Sequence, residues 1–252
     1  MQEIISRENP AVKRVIRLQK DGRFRQKEGC FVCEGEKLLR EAAESGMEIR
    51  RLFLSRERED LWPLERFCTD TVAVSEQLMA AMSDVEAPQG VLFLCGRPEK
   101  PARLLKEAAL ILEDVRDPGN LGTALRTAEA FGIPVVLTGS CADLYHPKTI
   151  RATMGSIFRV KVSQIAREAL WQQAEEQDLP LYAAALTADA EDIRKVDLSA
   201  AGVVIGNEAK GVSREMMEHC RKNVIIPISG AESLNAGVAS AIVMWEMRRI
   251  KQ

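Results

Sequence analysis

The 252-residue chain has two histidines and six cysteines, and neither set is arranged to hold a metal. Cys30 and Cys33 form the one close cysteine pair, yet they lie in a strand-like run, Cys30-Phe31-Val32-Cys33, in which residues three apart face opposite sides. With no second pair, and with His146 and His219 as the remaining candidates, no zinc site is expected. The cysteines form no dense framework and no stretch reads as a signal peptide, so reduced thiols in a cytoplasmic protein are expected. A long apolar run is also missing, which leaves no candidate membrane span. The dinucleotide fingerprint G-x-G-x-x-G, the Walker A loop, H-E-x-x-H and G-x-S-x-G are absent, so the common nucleotide, metalloprotease and hydrolase readings lose their support. There is no internal repeat and no low-complexity segment.

Net charge is small as well, with 35 basic against 37 acidic residues and a formal charge of -2. The chain as a whole therefore makes no electrostatic case for a nucleic-acid partner, and local clustering has to carry one. What is present is 46% hydrophobic and 29% charged residues, which suits a soluble globular protein, here read as two domains.

The first cluster is basic. Residues 9–28 carry Lys13, Arg14, Arg17, Lys20, Arg23, Arg25 and Lys27 against Asp21 and Glu28, with Val12, Val15, Ile16 and Leu18 at roughly helical spacing. This reads as a basic amphipathic helix over residues 1–28. Such a face is either merely solvated or a phosphate-contacting surface, and the excess of one sign favours the second. Residues 29–97 then read as a small α/β unit, with strands at 31–33, 51–54, 71–74 and 91–95 and helices at 35–45, 60–67 and 76–83. Paired prolines and charge around residues 98–104 predict a linker. From residue 105 onward, continuous apolar strands alternate with helices. Strands are expected at 109–115, 135–137, 159–162, 181–184, 202–205 and 224–226. Helices are expected at 121–131, 148–154, 165–177, 213–220 and 235–250. That pattern suits a parallel sheet covered on both faces.

Ligands of open parallel sheets sit beyond the carboxyl ends of the strands, so the loops after the strands are the place to look. After the first strand of this region, Pro118-Gly119 supplies a turn and Asn120 a helix cap. Arg126 follows on that helix, either facing the strand ends or as an ordinary surface arginine. After the fifth strand, Glu208 stands between Gly206-Asn207 and Gly211, and a carboxylate there is costly to bury without a partner. The third loop is Ser233-Leu234-Asn235, which follows a strand expected at 223–228 and opens a helix of small residues. Ser and Asn suit a helix cap. Gly237 costs that helix about 1 kcal/mol relative to Ala, which implies that something approaches it closely.

Three ordered motifs carry a family resemblance. Residues 120–128, the run from Val204 to Val212, and the run from Ile226 to Ala236 resemble those of the SpoU (TrmH-type) RNA ribose 2'-O-methyltransferases of the SPOUT superfamily, and residues 139–158 are similar too. Residues 30–96 resemble the substrate-binding domain often attached ahead of that catalytic domain. The resemblance implies an α/β protein whose C-terminal parallel-sheet SPOUT domain, residues 105–252, holds a trefoil knot, a rare exception to unknotted connectivity. It also implies a small α/β (L30e-like) RNA substrate-binding domain ahead of it. The implied reaction moves the methyl of S-adenosyl-L-methionine to a ribose 2'-hydroxyl of a structured RNA, with ribosomal RNA favoured over transfer RNA. A base-directed methyltransferase and a non-catalytic RNA-binding protein are the rival readings.

The resemblance assigns site residues too. Arg126 becomes the family's candidate for handling the hydroxyl proton, although a neutral guanidine is costly; a base and an orienting charge are the two open roles. Asn120, Glu208, Ser233 and Asn235 would order the site, Glu208 by fixing Arg126 or its own loop. Leu186, Gly206, Asn207, Gly211, Ile226, Ile228, Leu234 and Ala236 would hold the cofactor, and Gly237 would let backbone come near the cofactor or a partner. Lys13, Arg14, Arg17, Arg23, Lys148 and Arg151 become RNA contacts. No metal is implied. A homodimer through the catalytic domain is expected; Val238, Ile242, Met244 and Trp245 of the last helix serve it, or else serve the core.

Overall fold

A computed structural model describes residues 2–98, 108–230 and 233–249. In chain order it begins with β1 (Gln2–Ile4), α1 (Pro10–Lys20), α2 (Gly22–Glu28), β2 (Cys30–Glu34), α3 (Glu36–Glu44) and β3 (Ile49–Ser55). A 3-10 helix (Glu59–Phe67), β4 (Thr71–Val74), α4 (Glu76–Met82) and β5 (Val91–Gly96) follow. Next come β6 (Ala109–Glu113), α5 (Pro118–Phe131), β7 (Val135–Thr138), α6 (Pro147–Thr153), β8 (Val162–Gln164) and α7 (Arg167–Glu176). The last elements are β9 (Leu181–Ala184), β10 (Glu191–Asp192), β11 (Gly202–Ile205), α8 (Arg214–Glu218), β12 (Lys222–Ile225) and α9 (Ala236–Arg248). The chain forms two compact units. The linker expected at 98–104 falls, from residue 99 onward, outside the described residues.

The first unit holds residues 2–98 together with Tyr145–Phe158. Its sheet has the order β1-β4-β3-β5-β2, with β5 antiparallel to both its neighbours and the other pairs parallel. Strand alternation builds two cores, one on each face. Cys30, Val32, Phe53, Leu92 and Leu94 face Val12, Val15 and Leu18 of α1 and Leu78, Met79 and Met82 of α4. Phe31, Cys33, Leu52, Leu54 and Phe93 face Leu39 of α3, Leu61 and Leu64 of the 3-10 helix and Ile150 of α6. Cys30 and Cys33 therefore point to opposite faces, as the spacing predicts. Burial pushes the Cys33 thiol up and the Cys95 thiol up to about 12.

Residues 1–28 do not stand apart as one basic helix. Residues 2–4 pair with β4, and α1 ends at Asp21, which has extended backbone and accepts the Phe24 N–H at 2.9 Å to cap α2. Asp-Gly inside the basic run gives that break its chemistry, because Asp satisfies an orphan N–H at a helix start. The apolar stripe of α1 is core, and Arg25 is buried with its guanidinium on the Leu18 and Gln19 carbonyls at the end of α1.

The second unit holds the remaining described residues, and its seven strands run β10-β12-β9-β11-β6-β7-β8, all parallel. Leu110, Ile111, Val203, Val204 and Ala183 are fully buried in the central strands, as expected where helices cover both faces. The expected strand at 159–162 starts later, at Val162, and the one at 223–228 stops at Ile225, which leaves Ile226 to Gly230 as loop. Helices α5 and α9 lie side by side and run the same way. Asn120 meets Asn235 near their starts, and near their ends Phe131 packs edge-on to Trp245 while Arg248 donates to the Phe131 and Gly132 carbonyls.

Candidate active site at the carboxyl ends of the strands

The loops that follow β9, β11 and β12 surround a cavity of about 440 Å³, within the usual range of roughly 300–1,000 Å³ for small-molecule sites. Leu186 and Thr187 close one side, residues 205–212 a second, and Ile226, Ile228, Ser233, Leu234 and Ala236 a third. Leu186 is 61% exposed and Ile228 37% exposed. Apolar side chains left in water at a concave surface signal a binding site more than a scattered surface residue does.

The β11 loop is shaped by its glycines. Asn207 and Gly211 exchange backbone hydrogen bonds of 3.0 and 2.8 Å, and Gly211 has a φ of 69° that favours glycine. Gly206 lies against this tight turn so closely that a Cβ on it would stand 2.1 Å from the Gly211 carbonyl carbon and 2.2 Å from the Val212 nitrogen. Asn207 turns its side chain inward, accepting from the Ala209 and Lys210 N–H groups and donating to the Asp114 carbonyl at 2.9 Å.

Side chains that follow β6, β11 and β12 then join. Asn120 donates through Nδ2 to Glu208 Oε1 at 3.0 Å and accepts through Oδ1 from Asn235 Nδ2 at 2.7 Å. Glu208 also accepts from the Asp117 N–H at 3.2 Å. Burial alone would raise the Glu208 pKa, but the Asn120 amide and the backbone N–H groups outweigh it and hold the carboxyl below its ordinary value. Asn235 caps α9 by accepting from the Gly237 and Val238 N–H groups at 2.9 and 3.2 Å. Residues 88 and 115 positions away in sequence are thus locked to Asn120.

All eight residues expected to hold a cofactor, Leu186, Gly206, Asn207, Gly211, Ile226, Ile228, Leu234 and Ala236, line the cavity, and Glu208 and Ser233 line it with them. Ala184, Thr187, Lys210, Met217 and Ala239 line it as well; no motif marked them, since their place follows from the sheet order. Four readings change. The cap of α5 is Asp117, which accepts the Asn120 N–H at 2.7 Å, and Asn120 is a residue of the first helical turn. Ser233 precedes α9 instead of opening it, and Asn235 is the cap. Glu208 fixes Asn120 and its own loop, not Arg126. Gly237 approaches Thr123 of α5, whose Cβ would stand 3.2 Å from a glycine Cβ, so the close neighbour is a helix. Arg126 lies on α5 one turn beyond Thr123, exposed and away from the cavity wall. Among the described residues it has neither hydrogen bond nor ion pair.

The basic residues divide. Lys13 pairs with Glu8, Arg14 with Glu28 at 2.8 Å, and Arg17 with Asp21 at 3.5 Å while lying over the Phe24 ring. Arg23 is exposed without an ion pair among the described residues. Arg151 of α6 binds Asp84 at 3.0 Å, and Lys148 is exposed with no side-chain partner among the described residues. Because α1 and α6 pack on opposite faces of the sheet of the first unit, these cations do not form one surface. No cluster of metal-binding side chains occurs among the described residues, and no described helix is long and apolar enough to cross a membrane.

The profile of the SpoU rRNA Methylase family matches residues 107–245. The chain belongs to that family. The profile of the MRM3-like substrate binding domain matches residues 9–92. Among relatives in the SpoU family, the chain is 31% identical to a 23S rRNA (guanosine(2553)-2'-O)-methyltransferase, RlmP, of Bacillus subtilis, over 98% of this chain and all of that one. It is 36% identical to the mitochondrial rRNA methyltransferase 3 of Xenopus tropicalis over 60% of this chain and 39% of that protein. The AdoMet-bound rRNA methyltransferase of Sinorhizobium meliloti superposes with a TM-score of 0.88 at 29% identity, covering 98% of this chain and 97% of that one. The α/β fold with its parallel-strand sheet thus matches a SPOUT methyltransferase structure.

Proposed function

We propose that the protein transfers the methyl group of S-adenosyl-L-methionine to a ribose 2'-hydroxyl in ribosomal RNA. The observation that carries this reading is the meeting of the second and third motif loops at one cavity, with Asn120 of the first motif hydrogen-bonded between Glu208 and Asn235. The cavity fits the cofactor in size and in its apolar walls. When bound, the cofactor supplies an electrophilic methyl on a sulfonium sulfur.

The chain's own residues position and polarise. Methyl transfer needs oxygen, methyl and sulfur in line, so holding the ribose accounts for much of the acceleration. Asn120 and Asn235 have fixed amide orientations because each is engaged at both ends of its side chain. Ser233, exposed on the wall and without a hydrogen bond among the described residues, presents a hydroxyl to the incoming ribose. Arg126 offers a permanent positive charge to the neighbouring phosphate, which suits a guanidinium better than proton abstraction does. The first unit is the RNA-docking unit, with Lys148, Arg151, the α1 cations Lys13, Arg14 and Arg17, and Arg23 of α2 as its phosphate contacts.

The working form is a homodimer in the same reading. On α9, Val238 (47% exposed), Ile242 and Trp245 (59% exposed) form an apolar ridge at helical spacing, the kind of surface that oligomer contacts cover. The trefoil knot of the superfamily belongs to this reading as well.

Incubation of the protein with S-adenosyl-L-methionine and ribosomal RNA, followed by alkaline hydrolysis, tests the reaction. A 2'-O-methyl group removes the nucleophile of strand cleavage and leaves one gap in the ladder, whereas a methylated base leaves the ladder complete. Arg126→Ala is expected to lower methylation at least tenfold, about 1.4 kcal/mol in the barrier. No calorimetric binding at millimolar cofactor by the folded protein sinks the proposal.

A further inference from the structure

Bonded to the β11 loop, but lining no part of the cavity, is a charged cluster that the methyl-transfer reading leaves unused. Glu113, the last residue of β6, has a side chain only 1% exposed. Its Oε1 accepts from Arg167 Nε at 2.8 Å and from the Ser213 hydroxyl at 2.7 Å, and its Oε2 accepts from the Ser213 N–H at 2.8 Å. Arg167, the first residue of α7, extends its other end to Asp114. Asp114 has a φ of 54°, a conformation that costs a non-glycine residue about 1–3 kcal/mol unless its surroundings impose it. Its carboxylate also takes the Ser140 N–H, and its carbonyl takes the Asn207 side chain.

Two adjacent residues therefore grip both ends of the cofactor loop, Asp114 at Asn207 and Glu113 at Ser213, and one guanidinium bridges the two carboxylates. We propose that Arg167 is a positioning residue for S-adenosyl-L-methionine binding, acting through Glu113 and Asp114 to hold residues 207–213 in their cofactor-receiving form. This rests on the function proposed above. Arg167 does not line the cavity, so its effect passes through the loop. Without the guanidinium, two neighbouring carboxylates, one of them buried, face each other with only the Ser213 and Ser140 donors. An uncompensated buried charge is strongly unfavourable, and the easiest relief is to open the loop and admit water.

The test combines hydrogen exchange on the cofactor-free protein with cofactor calorimetry, both well below the unfolding temperature. In Arg167→Met, the amides of Ala209, Lys210 and Gly211 are expected to exchange about tenfold faster while those of β9 are unchanged, and cofactor affinity is expected to fall about tenfold. Arg167→Lys, which keeps the charge but reaches only one carboxylate, is expected to show a smaller change of the same kind. The double variant Arg167→Met/Glu113→Gln removes the unpaired charge and is expected to recover part of both losses. A folded Arg167→Met with wild-type loop exchange and affinity within twofold of wild type overturns the proposal. If Arg167→Met does not fold, wild-type behaviour of Arg167→Lys in both readouts overturns it. Faster loop exchange in a protein whose wild type binds no cofactor supports the grip on the loop and overturns the methyltransferase reading.

Discussion

Gly206 has no room for a methyl group, because the backbone it would meet belongs to a turn closed by its own hydrogen bonds. Gly206→Ala is expected to cost about 1–3 kcal/mol of stability and to abolish cofactor binding, as thermal unfolding and calorimetry would register. Glu208 makes a prediction of a different kind. Its carboxyl pKa is lowered from the ordinary 4.5 in the folded protein, so the loop stabilisation it gives is complete above that value and lost as the pH falls through the lower folded one. Cofactor affinity followed on acidification below pH 4.5 is expected to weaken in the wild type. Glu208→Gln, weaker at neutral pH, lacks that component. At this scale the eight cofactor residues implied by the family resemblance all line the cavity, whereas Gly, Asn and Ser at strand ends read by themselves only as turns and caps. The sequence does not say which polar group bonds to which. Asp117 and Asn120 are both good caps three residues apart, and only the path of the Pro118-Gly119 turn gives the cap to Asp117. Arg167 carries no local mark at all, since its two carboxylate partners lie more than fifty positions earlier.

Elements were legible wherever a periodic apolar pattern met clear punctuation. β4, β9 and β11 lie where the alternation and apolar runs place them, and α5 ends at Gly132, whose φ is 62°. β1 and β10 were not legible, being three and two residues long, too short for any period to register. The basic run was misread as one helix because charge and spacing hide the Asp21 cap. That error has a functional edge. All three α1 cations expected to meet RNA already have acidic partners, whereas Lys148 on α6 has none among the described residues. Each free phosphate contact adds about 0.9 to the salt slope of duplex binding and about 0.7 for single strands. Lys148→Ala is therefore expected to reduce the slope of log affinity against log salt by nearly one, and Lys13→Ala by much less, in filter-binding titrations with ribosomal RNA.

For the molecule as a whole, the ridge of Val238, Ile242 and Trp245 on α9 gives the most direct test of assembly. A tryptophan central to an interface commonly contributes 2 kcal/mol or more, so Trp245→Ala is expected to weaken dimerisation roughly thirtyfold, measurable by light scattering across a dilution series. The division into two units was legible from the change of pattern near residue 100, but the return of Tyr145–Phe158 to the first unit was not. Those residues sit in a family motif and read as one more turn of the catalytic fold. In the structure, Ile150 is 1% exposed in the same core as Phe31, Leu39 and Phe93, and Tyr145 stacks on Phe31 with ring centroids 4.6 Å apart. The consequence reaches into synthesis. A ribosome extends the chain from its N-terminus, so the first unit must wait, part of one apolar face uncovered, until a segment nearly fifty residues beyond its last strand has left the exit tunnel. A truncated fragment stopped after β5 would keep the patch under Tyr145 and Ile150 open for good and is a poor stand-in for the intact docking unit.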